Sequence, residues 1–93
     1  MQKFNVKLAT SKDIRQHAFG VVSEVSGLSV DELDASMTIA EDIAPNSIDR
    51  ITLFMALEDE FGESIPESEV RDIGTLAELL DFVETRVRRL QAG

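Results

Sequence analysis

The chain has 93 residues, a formal net charge of −9 at pH 7 and no cysteine. This length supports one small domain, and the absence of cysteine excludes disulfides and thiolate metal sites. The negative charge argues against nucleic acid as a partner. It is typical either of a protein that binds basic docking surfaces or of one with a solvated, solubilising surface.

The first predicted element is an N-terminal extension, residues 1–10. Phe4, Val6 and Leu8 alternate with polar residues, which is the spacing of a strand. Because the rest of the sequence shows no partner strand, we predict a loose or packed-down extension.

The first helix is predicted to begin near Thr10 or Ser11 and to end at Gly27. Thr10 supplies a hydroxyl that can cap the helix, and Asp13 places an acid in the first turn. Apolar residues then recur at helical spacing, and these are Ile14, Ala18, Val21, Val22 and Val25. Glycine suits the left-handed conformation that commonly ends a helix.

Residues 28–46 form a long connection that is too apolar for a free linker. Its apolar residues are Leu28, Val30, Leu33, Met37, Ile39 and Ile43. We predict a loop that packs across the other elements, with a short turn at residues 31–34. An ordered loop of this length often has a function.

Three further helices are predicted after this loop. The second helix runs from Ser47 to Phe61 and stops at Gly62, and a short third helix follows Pro66 over residues 67–71. The last helix begins after Thr75, which forms a capping-box pattern with Glu78. The predicted fold is therefore all-α: a small four-helix bundle with three main helices, a short third helix and a long first crossover loop. We divide the chain into the extension at 1–10, a bundle at 11–90 and a tail at 91–93.

The second helix is more apolar than one contact with a core requires. Leu53, Leu57 and Phe61 make a single buried stripe, and further apolar residues widen it: Ile48, Ile51, Phe54 and Met55. Phe54 is interpreted as a core residue. Ile51 and Met55 are interpreted as an exposed strip, edged by acids, on which a partner with a basic rim docks.

Ser47 stands at the predicted start of this helix, and two interpretations are open. One is that it caps the helix, as serine and asparagine commonly do. The other is that its exposed hydroxyl is modified, since a phosphodiester there would face free N–H groups at the positive end of the helix dipole.

The sequence predicts no catalytic residues and no metal site. His17 is the single histidine, and we interpret it as a surface or half-buried side chain of the first helix rather than the partner of Ser47 in a triad. The acidic run that begins at Asp31 has Leu33 and Ser36 where a calcium-binding loop needs an oxygen ligand and glycine, so we reject that site.

The motifs around Ser47, taken in order, resemble those of acyl carrier proteins. That family's signature is Asp-Leu-Gly-x-Asp-Ser-Leu-Asp, and this chain has Asp-Ile-Ala-Pro-Asn-Ser-Ile-Asp at 42–49. The segment Met-Ala-Leu-Glu-Asp-Glu-Phe-Gly follows at 55–62, then Ile-Pro at 65–66 and Asp-Ile-Gly-Thr-Leu at 72–76. The similarity covers about residues 11–90.

This resemblance implies a non-enzymatic carrier. By position, Ser47 would hold a 4'-phosphopantetheine arm, added from coenzyme A by a phosphopantetheinyl transferase, and the arm's thiol would carry acyl groups as thioesters. The residues next to the arm would be Asn46, Ile48 and Asp49. The surface recognised by acyl-transferring or condensing enzymes would comprise Asp49, Arg50, Ile51, Met55, Glu58 and Asp59. Phe54 and Leu57 would line an acyl cavity.

Several positions depart from the family's pattern. Ala44 replaces its glycine, Asn46 replaces an aspartate, Arg50 adds a positive charge and Thr52 replaces a glutamate found in many relatives. We therefore expect a specialised carrier of fatty-acid or modified-lipid biosynthesis. The alternatives are a carrier module of polyketide or non-ribosomal peptide synthesis, and a non-catalytic helical interaction domain. We expect a cytoplasmic monomer without a membrane-inserting segment.

Overall fold

The structure is a computed structural model that describes residues 7–92. The predicted alternation in the N-terminal extension depends on Phe4 and Val6, which lie outside the described residues. Leu8 is exposed, whereas Ala9 packs against the core and its carbonyl accepts a hydrogen bond of 2.7 Å from Gln91 Nε2.

Four α-helices make up the fold, in agreement with the sequence. They are α1 (Ser11–Ser26), α2 (Ser47–Phe61), α3 (Glu67–Val70) and α4 (Leu76–Ala92). Over residues 7–92 there is no β-strand, and the one β-type contact is an isolated antiparallel bridge between Thr38 and Thr75. The predicted all-α, four-helix class is confirmed. The division at residues 10 and 90 stays a prediction, and α4 continues through Ala92.

Side-chain caps fix the ends of α1 as predicted. The Thr10 hydroxyl accepts a hydrogen bond from the Asp13 amide, and the Asp13 carboxylate accepts one from the Thr10 amide. The bond from the Thr10 amide to the carboxylate also lowers the pKa of Asp13, because it favours the charged form. Gly27 ends the helix with a φ of 80°, which a residue with a side chain rarely adopts.

The crossover between α1 and α2 contains two helical turns, one more than the sequence predicted. A 3₁₀ turn at Val30–Glu32 overlaps the expected turn, and a π-helical turn at Ile39–Ile43 was not predicted. Ile39 and Ile43 are four residues apart, and both are buried in the core. The end of the crossover is therefore packed in place immediately before α2.

The crossover also supplies hydrogen-bond partners for the start of α4. The first amides of a helix have no partner within it, and here Leu76 N–H donates to Met37 O and Ala77 N–H to Ala35 O, both at 2.9 Å. Thr75 and Glu78 complete the predicted capping box. Hydrogen bonds from the amides of Gly74 and Thr75 lower the pKa of Glu78. These contacts hold the middle of the loop against α4.

The core lies between α1, α2 and α4. α2 contributes Leu53, Leu57 and Phe61, which confirms the predicted buried stripe. The remaining fully packed residues come from the other helices and the crossover: Ile14, Ala18, Val22, Ile39, Ile43, Ala44, Leu76, Leu79, Leu80, Val83 and Val87. Such burial removes apolar surface from water and is the main stabilising contribution to a domain of this size.

Candidate functional site

Ser47 is the first residue of α2, and Asn46 is the residue that caps this helix. Asn46 has an extended backbone, and its Oδ1 accepts a hydrogen bond of 2.8 Å from the Asp49 amide. The interpretation of Ser47 as the cap is therefore wrong, because Asn46 occupies that position. The sequence pattern allowed either residue, since both side chains carry a suitable oxygen.

We expect Asn46→Ala to lower the free energy of unfolding by about 1 kcal/mol, because it removes the cap of α2. Ser47→Ala removes no such contact, so its expected change lies within about 0.5 kcal/mol. Urea unfolding followed by far-UV circular dichroism measures both values. A loss on Ser47→Ala as large as that on Asn46→Ala would contradict this assignment of the cap.

The Ser47 hydroxyl is exposed and has no hydrogen-bond partner within the described residues, 7–92. In the same part of the chain, the N–H groups of Ser47 and Ile48 also have no protein partner. These amides lie at the N-terminus of α2, which is the positive end of the helix dipole. The hydroxyl is thus accessible to a modifying enzyme, and its surroundings fit a phosphodiester.

His17 lies too far from Ser47 to activate it. Its Nδ1 is 2.9 Å from Glu60 Oε2, next to the last residue of α2. At about 1.5 Å of rise per residue, Glu60 is about 20 Å along the helix from Ser47. A hydrolase built on Ser47 and His17 is therefore excluded by geometry.

Three large apolar side chains of α2 are exposed. Ile48, Ile51 and Met55 are 73%, 60% and 62% exposed. Their spacing of three and four residues places them on one face of the helix. The predicted exposure of Ile51 and Met55 is confirmed, and Ile48 extends this apolar strip to the N-terminal end of α2. A contiguous apolar surface of this kind is typical of a docking site.

The acidic residues near the strip differ in exposure and in hydrogen bonding, which the sequence did not reveal. Glu58 is half-buried, and its Oε2 accepts a hydrogen bond of 2.7 Å from the Ile65 amide, so it holds the loop between α2 and α3. Asp59 is exposed, and Asp49 is half-buried in the first turn of α2. Of the predicted recognition acids, Asp59 is the most accessible to a partner.

Arg50 and Thr52 both direct side-chain hydrogen bonds back to the chain. Arg50 is half-buried, and its Nη1 donates to the Ala44 carbonyl at 3.3 Å. Thr52 Oγ1 donates to the Ile48 carbonyl at 2.9 Å. The charge of Arg50 therefore lies against the end of the crossover, at Ala44.

Phe54 and Leu57, the two predicted cavity residues, have different environments. Leu57 is fully buried in the core, whereas Phe54 is half-buried and packs against its edge. Phe54 thus packs against the core while part of its side chain stays exposed. The assignment of either residue to an acyl cavity stays a prediction.

A family model described as "Phosphopantetheine attachment site" matches residues 19–83. The match covers well over half of the chain and includes the crossover, all of α2 and α3, and Ser47. No helix among the described residues is long and apolar enough to cross a membrane. In the same residues no group of three or more histidines and acids is arranged to hold a metal ion.

Proposed function

The chain belongs to the phosphopantetheine attachment site family, and we propose that Ser47 is the residue that bears the arm. Proteins of this family are carriers rather than enzymes, with a covalent 4'-phosphopantetheine group that a transferase adds and on which partner enzymes act. The single observation that best supports Ser47 is its hydroxyl, exposed at the start of α2 while Asn46 provides the cap.

The residues around Ser47 have separate tasks in this proposal. Asn46 satisfies the Asp49 amide, which leaves the serine hydroxyl available. The free amides of Ser47 and Ile48 stabilise the negative charge of the phosphodiester. When bound, the arm supplies a thiol that carries an acyl group as a thioester. The buried turn at Ile39–Ile43 fixes the position of the site relative to the bundle.

We further propose that the cargo is an acyl intermediate of fatty-acid or specialised lipid biosynthesis. The exposed strip of Ile48, Ile51 and Met55 supports docking of acyl-transferring or condensing enzymes, with Asp59 at its rim. A carrier of polyketide or peptide synthesis is the alternative. A simple interaction domain has less support, since capping by Asn46 leaves Ser47 with no structural task. In this proposal the protein acts as a monomer in the cytoplasm.

The direct test of the carrier function is incubation of the purified protein with coenzyme A and a broad-specificity phosphopantetheinyl transferase. One arm adds about 340 Da to the intact mass. We expect a single such addition and no second one. A protein that keeps its original mass, with a known carrier modified in a parallel reaction, would contradict the proposal.

We expect Asp59→Lys to weaken docking of the transferase at low salt, because the change reverses a charge at the rim of the strip. The association rate constant should fall by about 2- to 10-fold, and the difference should shrink as salt screens it. Stopped-flow binding measures the rate. Glu24→Lys is the matched control, since Glu24 is exposed on α1, the helix on which α2 packs.

An equal effect of Glu24→Lys would mean that net charge, rather than this surface, controls association. Glu58 is unsuitable for the same experiment. Its carboxylate accepts the Ile65 amide, so its replacement also disturbs the loop after α2.

A further inference from the structure

Arg50 is the one basic side chain of α2, and its guanidinium bonds back to the end of the crossover. It is half-buried, with Nη1 3.3 Å from the Ala44 carbonyl oxygen. A docking cation would be expected to extend into solvent, where a partner's acid could reach it. The observed position instead suggests that Arg50 acts within the site at the start of α2.

The hydrogen bond holds the guanidinium against the segment that leads into α2, the helix that begins at Ser47. Ala44 lies three residues before Ser47 in the chain, and Arg50 lies three residues after it. Side chains three residues apart on a helix are neighbours, with Cβ atoms about 5–6 Å from each other. In reaching back to Ala44, the Arg50 side chain points toward the N-terminal end of α2, the end at which Ser47 lies.

The guanidinium also has unused capacity to bind an anion. Arginine carries five N–H donors, and the bond to Ala44 is long and occupies one of them. A neutral carbonyl is a weaker acceptor for a charged donor than a phosphate oxygen, and arginine is particularly suited to phosphate. A phosphodiester on Ser47 would also lie near the like charge of Asp49, which a bound guanidinium would offset.

We propose that Arg50 is a positioning residue for the prosthetic arm. In the loaded protein its guanidinium binds the phosphodiester on Ser47 and exchanges the Ala44 carbonyl for a phosphate oxygen. This inference rests on the proposed function, since it requires the arm at Ser47. Arg50 is then not a partner contact. It instead restricts the orientation of the phosphodiester end of the arm, and so the orientations in which the arm reaches a partner.

The test is ³¹P NMR of the loaded protein as wild type, Arg50→Gln, Arg50→Lys and Arg89→Gln. Intact mass first establishes that each protein carries one arm. Arg89→Gln is the matched control because it makes the same charge change on an exposed residue of the last turn of α4. That turn lies at the end of the bundle far from Ser47. Arg88 contacts Ser11 at the start of α1. His17, further along α1, contacts Glu60 near the end of α2, so the start of α1 lies toward the end of α2 that is opposite Ser47.

We expect Arg50→Gln to shift the phosphodiester resonance, Arg89→Gln to leave it in place, and Arg50→Lys to give a smaller shift than Gln. In the wild-type protein, the Arg50 side-chain N–H signal should also move between the unloaded and loaded forms. This second reading needs no variant, so it decides the question even if Arg50→Gln folds poorly.

Two failures are distinguishable. Full loading at Ser47, with a ³¹P resonance unchanged by Arg50→Gln and an Arg50 signal unchanged by loading, would overturn this inference and leave the carrier function standing. If, in addition, Arg50→Gln slows docking of the transferase, Arg50 is a partner contact after all. Absence of any mass gain on Ser47 would overturn the inference together with the proposed function.

Discussion

Ser47→Ala is expected to abolish addition of the arm completely while the protein remains folded. In the proposed carrier, the oxygen of Ser47 forms the bond to phosphorus, and alanine offers no atom that can replace it. Stability should be unaffected because the hydroxyl has no partner among the described residues and Asn46 supplies the cap. Intact-mass spectrometry after incubation with coenzyme A and transferase should show the mass of the variant alone, without the gain of about 340 Da.

Two variants control for indirect effects on this reaction. Ser68→Ala removes another exposed helical serine, in α3, and should accept the arm normally. Asn46→Ala should also accept the arm, but more slowly or less completely because α2 has lost its cap. If Ser47→Ala still gains the mass of one arm, another hydroxyl is the attachment point and the account of the site is wrong.

Leu57→Ala is expected to be the most destabilising of the single changes considered for α2. Leu57 is fully buried among core residues of the bundle. Truncation of such a leucine removes apolar contacts and leaves a cavity, which costs about 2–5 kcal/mol. In a domain whose total stability is of the order of 5–15 kcal/mol, this is a large fraction. Urea unfolding of the unloaded protein measures the loss.

Phe54→Ala provides the comparison for this second prediction. Phe54 is half-buried at the edge of the core, so its truncation should cost less than that of Leu57. If Phe54 contacts the cargo, its truncation should reduce the extra stability that an attached acyl chain gives to the folded state. A loss on Leu57→Ala below about 1 kcal/mol would indicate open space beside Leu57 rather than a packed core.

The ends of the main helices were predictable because local chemistry marks them. Each cap lies within a few residues of the helix end that it defines. The caps are Thr10 with Asp13, Thr75 with Glu78, and Gly27. The turn at Ile39–Ile43 was not predictable in the same way. It is too short to show a period, and its conformation depends on burial of Ile39 and Ile43 against distant parts of the chain.

The position of Ser47 in the fold was predictable, but the contacts of the residues around it were not. The order of motifs placed Ser47 at the start of a helix, and the excess of apolar residues correctly indicated an exposed strip. Sequence could not tell which of Asn46 and Ser47 caps the helix, because either oxygen suits that position. The hydrogen bonds of Glu58 to Ile65 and of Arg50 to Ala44 depend on how long side chains fold back, which no local pattern specifies.

The most direct test of the carrier account is the tryptic peptide of residues 16–50 from natively purified protein. No lysine or arginine interrupts this peptide before Arg50, and it contains five serines: Ser23, Ser26, Ser29, Ser36 and Ser47. We predict that fragmentation places a phosphopantetheine of about 340 Da, with any attached acyl group, on Ser47 alone. An unmodified peptide that remains unmodified after treatment with coenzyme A and transferase, or an arm on any other serine, would contradict the account.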